Sequence, residues 1–405
     1  MILILQKLYG QSNMAKNIAI LTTTYLPVQG GIQHLLFWIL SEIDDNFIYY
    51  QKKYNIDNFY LIAPSLSQNK YAEFKNIKLL EINDNSSKAN KLKIMFQILI
   101  HVKNKNISLI HSHNAYFDSI CCNFAKKFTQ LKYVITSHGE DLAYFKEFNF
   151  GGMLSSRFRK IVKNNIKNAE FITTISSDMC KFAYKVAQKN KVVLIPNPVP
   201  YRNNNVRIDL IEQEVKSIRS EFKLDISNVV CLTLSGARQI KGHDNMLKGF
   251  KSAYIKNRKL RLFIAAHGER TEHLKLLVKQ LGLEDVVNFI GFISGARKEA
   301  FLNVSDIYVN TAYFEPFGLV YLESIIYKMA NIASNKGGGR DIFCHKKNAY
   351  LVDPYSVEII SDAFTYLSNS NKRNKLIENS QSLLPNYKLN VIVEKYLEIY
   401  SRATD

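Results

Sequence analysis

Cysteine is scarce in this sequence, and where it falls excludes as much as how little there is. The five residues, Cys121, Cys122, Cys180, Cys231 and Cys344, contain no Cys-x-x-Cys pair. An odd, scattered set argues against a disulfide scaffold and a cysteine-rich zinc site, and it fits a reducing compartment. Long apolar runs are missing too: none reaches the roughly 18–20 residues that a membrane span needs. Met1–Leu5 is apolar but short, with no basic leader and no small-residue cleavage signal, so it does not read as a signal peptide. The folded protein is expected to begin near Met14, with residues 1–13 an upstream extension, and to be cytoplasmic. Gly-x-Gly-x-x-Gly is absent, which argues against a dinucleotide site. Acids are outnumbered, 35 against 54 basic residues. The net charge of +19 is silent on fold but points to anionic partners: lipid, nucleic acid or phosphorylated small molecules.

What is present is a long alternation of apolar strands and helical stretches. The chain has 405 residues, 47% of them hydrophobic, enough for two or three packed domains. Strands are expected at Ile18–Thr22, Asn58–Ile62, Ser108–His111, Tyr133–Thr136, Phe171–Ile175 and Val192–Ile195. Pro196, Pro198 and Pro200, followed by Asn203–Asn205, then read as a linker. A second series has strands at Val229–Ser235, Arg261–Ala265, Val287–Ile290, Ile307–Asn310 and Ala330–Ser334. The chain closes with an amphipathic helix carrying Val391, Val393, Tyr396, Leu397 and Tyr400. Two α/β units with parallel sheets predict a cleft between them, with ligands at the carboxyl ends of the strands.

The strand-end loops hold the chemistry. Gly30 and Gly31 precede a helix, where free backbone N–H groups suit an anion. His138, Glu140 and Asp141 follow the Tyr133–Thr136 strand; a site role competes there with a helix cap by Asp141. His111 and His113 could hold zinc, but no third ligand follows at a matching spacing, so structural or cleft-lining histidines are favoured. Arg238 and Lys241, at a strand-to-helix turn, suit a pyrophosphate. Gly291 and Phe292 end a strand where backbone groups could pair with a nucleobase. The densest group is Glu315-Pro316-Phe317-Gly318, leading into a helix with Leu319, Val320 and Glu323. Its N–H groups and dipole would face a phosphate, and the two glutamates would flank it and accept from sugar hydroxyls. Gly337, Gly338, Gly339, Arg340 and Asp341 form another strand-end loop.

This set resembles the retaining GT-B glycosyltransferases of family four. The resemblance rests on the Glu-x7-Glu motif, Glu315 to Glu323, with its Pro-Phe-Gly core, and covers nearly the whole chain from Met14. It departs from the family in a shorter Arg238-to-Lys241 spacing, and in Met329-Ala330-Asn331 where Gly-x-Pro is usual. The resemblance implies an α/β GT-B fold of two Rossmann-like domains with an interdomain cleft. Residues 14–198 would bind acceptor, residues 199–385 would bind the nucleotide sugar, and a helix in 386–405 would pack back on the first domain. It implies a catalytic set of His138, Lys241 and Glu315. Donor contacts would come from Gly30, Gly31, Arg238, Lys241, Gly291, Phe292, Glu315, Phe317, Gly318, Leu319 and Glu323. No cofactor and no metal are implied. The donor would be a nucleotide-diphosphate sugar, a uridine diphosphate sugar by default, and the acceptor a growing, lipid-linked bacterial surface glycan such as lipopolysaccharide, O-antigen or capsule.

The charge supports a membrane partner. Residues 1–200 hold 25 basic and 13 acidic side chains. Ser86–Asn106 has five lysines and no acid beside Leu92, Met95, Phe96 and Leu99. Gly151–Asn168 interleaves Arg157, Arg159, Lys160, Lys163 and Lys167 with Phe158, Ile161, Val162 and Ile166. Such helices can lie on anionic lipid at the inner face of the cell membrane, or pack their apolar stripes on the sheet while the lysines stay solvated. A soluble acceptor, or a non-catalytic nucleic-acid- or membrane-binding protein, are the alternatives; no recognised nucleic-acid pattern is present.

Overall fold

The computed structural model describes residues 16–26, 30–64, 74–83, 87–199 and 208–405. The expected N-terminal extension and Met14, Ser86, and Pro200 with Asn203–Asn205 of the linker lie outside the described residues.

Two parallel sheets form. The first contains β1 (Lys16–Leu21), β2 (Ile56–Pro64), β3 (Ile77–Ile82), β4 (Ile107–Ser112), β5 (Lys132–Ser137), β6 (Phe171–Thr174) and β7 (Val192–Leu194). Their order is β3-β2-β1-β4-β5-β6-β7. The second contains β8 (Val229–Leu234), β9 (Leu260–Ala265), β10 (Val287–Phe289), β11 (Ile307–Asn310), β12 (Ala330–Ser334) and β13 (Tyr350–Val352), in the order β10-β9-β8-β11-β12-β13. Both orders reverse at the first strand of their sheet, which opens a crevice at the carboxyl ends of β1/β4 and β8/β11. The strands are apolar on both faces because helices cover both: Ile18–Leu21 and Val229–Leu232 are buried throughout. The GT-B class expected from sequence is the class observed.

Two strands escaped the sequence reading. β3 lies at a sheet edge, and Lys78 and Glu81 interrupt its apolar pattern; β13 has only three residues.

The helix Leu389–Thr404 returns to the first sheet. Ile392, Val393, Tyr396, Leu397 and Tyr400 form its buried stripe, packed with Leu35, Leu36 and Ile39 of the helix Gly31–Asp45. The Tyr400 hydroxyl meets His111 Nδ1 at 2.5 Å, while His111 Nε2 meets Thr136 Oγ1 at 2.6 Å. Both nitrogens of this buried ring are used, so His111 is structural rather than a metal ligand.

The domains also touch through aromatic side chains. Phe145 packs on Phe314 with ring centroids 4.8 Å apart, and Phe148 lies parallel to Tyr313 at 4.7 Å. Beside them a reciprocal clasp forms. Asp178 of the first domain accepts from the Gly337 N–H (2.9 Å) and pairs with Arg340; Asp341 of the second accepts from the N–H and hydroxyl of Ser177, each at 2.6 Å.

Candidate active site

Between the sheets lies a cavity of about 590 Å³ walled by both domains. Gly31, His113, His138 and Gly139 come from the first; Arg238, Lys241, Glu315, Phe317, Gly318 and Leu319 come from the second. Eight of the residues assigned from sequence to catalysis or donor contact therefore line one cavity: Gly31, His138, Arg238, Lys241, Glu315, Phe317, Gly318 and Leu319.

The centre is an ion pair. Lys241 ends the short turn Gln239–Lys241 after β8, and its ammonium donates to Glu315 Oε2 at 2.9 Å. The same oxygen accepts from Asn310 Nδ2 at 3.0 Å. Only 12% of the Glu315 side chain and 21% of Lys241 reach solvent, so the pair is largely shielded. The Glu315 backbone is stitched to the glycine loop: its N–H donates to Lys336 O and its carbonyl accepts from Gly338 N–H. Gly318 then turns with φ 87°, and a Cβ there would fall 2.4 Å from Tyr321 Cδ2, so the helix Leu319–Ile326 can begin so tightly only from glycine. The tip of that helix points its first N–H groups and positive dipole end at the cavity.

Across the cleft, Gly139 has φ 132°, and a Cβ would meet Pro316 Cγ at 2.5 Å. The His138 loop is thereby held against the Pro-Phe-Gly turn. His138 Nε2 lies 3.1 Å from His113 Nδ1, the ring planes only 17° from parallel. Burial pushes the His138 imidazole down to about 4 and His113 well below its ordinary value, so this pair is neutral near pH 7. His113 Nε2 is buried without a partner, which favours the tautomer whose proton sits on Nδ1 and is donated to His138.

Other assignments are looser or fall elsewhere. Arg238 is half exposed and stands 3.7 Å from Glu140 across the cleft, a loose contact. Gly30 is not among the lining residues; it has extended backbone, and a Cβ there would meet the Gln33 side chain. Gly291 and Phe292 follow β10 and are not among the residues lining the cavity; the Phe292 ring is 70% exposed. Glu323 lies outside the wall and pairs with Lys298 at 2.7 Å. Asp141 caps no helix; it accepts from the Ala115 N–H (3.0 Å) and the Ser137 hydroxyl (2.5 Å), anchoring the His138 loop. The sequence reading missed Asn310 and Lys298. Asn310 had a signal, since it is the last residue of a strand whose end faces the cleft; Lys298, inside a helix, had none.

Comparison with known proteins agrees with this geometry. Residues 57–202 match the family described as Glycosyltransferase Family 4, and residues 216–383 match Glycosyl transferases group 1. The N-acetyl-alpha-D-glucosaminyl L-malate synthase of Bacillus anthracis is 21% identical over 300 residues, 73% of this chain and 75% of that one. Crystal structures of Anabaena HepE in complex with UDP and glucose, and of WaaG, a glycosyltransferase involved in lipopolysaccharide biosynthesis, superpose with TM-scores of 0.72 and 0.67. Each is 16% identical; they cover 96% and 94% of this chain, and 100% and 99% of their own. Fold and cleft together define a GT-B glycosyltransferase. The chain belongs to glycosyltransferase family 4, its second half carrying the group 1 domain of these transferases.

Proposed function

We propose that the protein transfers a sugar, with retention, from a uridine diphosphate sugar to a lipid-linked bacterial surface glycan at the cytoplasmic face of the membrane. The observation that carries the donor half is the Lys241–Glu315 pair at a helix tip inside the interdomain cavity. Lys241, Arg238 and the N–H groups of Leu319 and Val320 stabilise the departing diphosphate, so the proposal needs no metal. Glu315 accepts from donor-sugar hydroxyls, and Glu323 from the ribose. His138, neutral and hydrogen-bonded, sits beside the transferred sugar. In the retaining route the acceptor hydroxyl attacks the face the diphosphate leaves and gives its proton to a phosphate oxygen. No paired carboxylates of the glycosidase kind are then required. HepE, described as bound to UDP, and WaaG, described as acting in lipopolysaccharide biosynthesis, support the donor and the acceptor class.

The membrane half rests on the helix Lys88–Asn104. Its buried stripe is Ile94, Ile98 and Val102, so Leu92, Phe96 and Ile100 are left about half exposed. Phe96 packs on Phe124, and Phe124 on Phe128, itself 57% exposed, extending the apolar ridge. A groove of about 440 Å³ beside it is lined by Met95, Ile120, Phe124 and Ile161, with Lys127 and Lys160 at its edge. Apolar side chains ringed by lysine match the interface of an anionic bilayer. None of the described helices is long and apolar enough to cross a membrane.

Thermal stabilisation by a panel of nucleotide sugars, followed by proton NMR of the product's anomeric linkage, tests the donor and the stereochemistry. A saturating donor at 100 times its Kd should add about 2.7 kcal/mol. Flotation with anionic vesicles at low salt tests the membrane; a Leu92→Glu/Phe96→Glu variant should float at least tenfold less with an unchanged melting temperature. The Bacillus anthracis relative, named for a malate product, gives the second reading of a small soluble acceptor, and it prevails if no vesicle binding is seen.

A further inference from the structure

Glu323 and Lys298 form a second ion pair that the proposed chemistry leaves half used. Glu323 lies one turn inside the helix Leu319–Ile326, and Lys298 lies in the helix Gly295–Val304 that follows β10. The Lys298 ammonium donates to Glu323 Oε1 at 2.7 Å. The other carboxylate oxygen, Oε2, is buried and meets no hydrogen-bond partner in the described structure. The glutamate is 12% exposed and the lysine 31%, so the pair opens to solvent on the lysine side. His34, on the first turn of the helix Gly31–Asp45, stands close enough to feel both charges: burial and the Lys298 charge weaken its basicity, and Glu323 acts the other way. Three side chains from both domains thus converge beside the cleft.

A buried carboxylate oxygen without a donor is costly unless something fills it. An ammonium has three N–H groups, and Glu323 takes one. The pair therefore presents one unmet acceptor and a cation with donors to spare, side by side. A vicinal diol is the complement: one hydroxyl donates to Glu323 Oε2, and its neighbour accepts from Lys298 Nζ.

We propose that Lys298 is a specificity-determining residue that, with Glu323, reads both hydroxyls of the donor's ribose and rejects deoxynucleotides. The inference rests on the reading that a nucleoside diphosphate occupies this cleft. A solvated surface pair would instead contribute little and discriminate nothing.

Calorimetric titration of UDP, 2′-deoxy-UDP, 3′-deoxy-UDP and dTDP tests it, using the full chain and the variants Lys298→Met and Lys298→Arg. The wild type should bind UDP at least tenfold more tightly than each deoxynucleotide. Lys298→Met should erase that ratio for the one deoxynucleotide whose missing hydroxyl met the lysine, and Lys298→Arg should keep most of it. Both ratios unchanged within twofold in Lys298→Met, with UDP still bound, overturns the inference while sparing the donor site. Wild-type binding of dTDP as tight as that of UDP overturns it as well. If UDP does not bind the wild type, the donor reading itself falls, and this inference with it. The partly exposed lysine makes Lys298→Met a mild change, and an unchanged melting temperature verifies the fold.

Discussion

Lys241 and Glu315 should be coupled in stability yet not jointly dispensable for activity. Replacing Lys241 by Met leaves the Glu315 carboxylate with Asn310 as its remaining side-chain donor. Breaking a fully buried pair costs about 3–5 kcal/mol, and the 21% exposure of the lysine lowers that to about 2–3 kcal/mol here. For a domain of this size the melting temperature should fall by about 4–12 °C. Glu315→Gln should cost a similar amount, because the ammonium then loses its counter-charge. The double variant Lys241→Met/Glu315→Gln removes both charges and should regain about 1.5–2.5 kcal/mol relative to the sum of the singles. Transfer activity should behave otherwise. Each single variant should lose about 10²–10³-fold in kcat/KM, and the double should be no better than the worse single, because it lacks the charge proposed to stabilise the leaving diphosphate. Calorimetric melts and a radiolabelled transfer assay on the four proteins complete the cycle. Stability losses that add within about 0.5 kcal/mol would show that the two groups do not act as a pair. A double variant with near wild-type transfer would refute the catalytic assignment.

Three further outcomes are expected. Burial holds His111 at about 3, His138 and His243 at about 4, and His113 well below its ordinary value, so their stabilisation is complete above the unfolded value near 6.5 and is lost as pH falls from there toward 4. Asp118, pushed up to about 7 by burial, and Asp141, also raised by burial, oppose this, since their folded carboxyls keep protons that the unfolded chain releases. Four imidazoles against Asp118, with Asp141 acting in the same direction as Asp118, leave about two to three protons, or about 3–4 kcal/mol per pH unit near pH 5, and urea melts from pH 7.5 to 5 should show that slope with destabilisation on the acid side. Asp178→Ala/Asp341→Ala should open the cleft, raising the donor KM about tenfold with a larger radius of gyration in X-ray scattering; an unchanged KM would leave the clasp without a role in closure. Gly139→Ala, which sets a methyl against Pro316 at a strained φ, should lower kcat/KM by at least tenfold, read in the same transfer assay.

Much of the architecture was legible because a parallel sheet buried on both faces leaves continuous apolar runs, as in Ile18–Leu21 and Val229–Leu232. The edge strands β3 and β13 were not, since partial exposure admits Lys78 and Glu81 and shortens the run. The cavity wall was legible where glycine, proline and charge stand together at strand ends, as in Glu315–Gly318. Gly291 and Phe292 stand outside the cavity lining, because a strand-end position does not reveal how far its loop lies from the cleft. On the helix Lys88–Asn104, Leu92, Met95, Phe96 and Leu99 looked like one stripe, whereas Ile94, Ile98 and Val102 take the core and Leu92 and Phe96 face outward. Contacts between domains, such as Asp178 with Gly337 or His138 with His113, depend on how distant segments meet, and no local pattern encodes that.

The returning helix Leu389–Thr404 sets an order of events during synthesis. Strands β1 to β7 leave the ribosome within the first half of translation, yet the face holding His111 stays uncovered until Tyr396 and Tyr400 emerge just over 200 residues later. The first domain must therefore wait, partly open, while the second is made and folds, and chaperone demand or proteolytic nicking of nascent chains should concentrate in that interval.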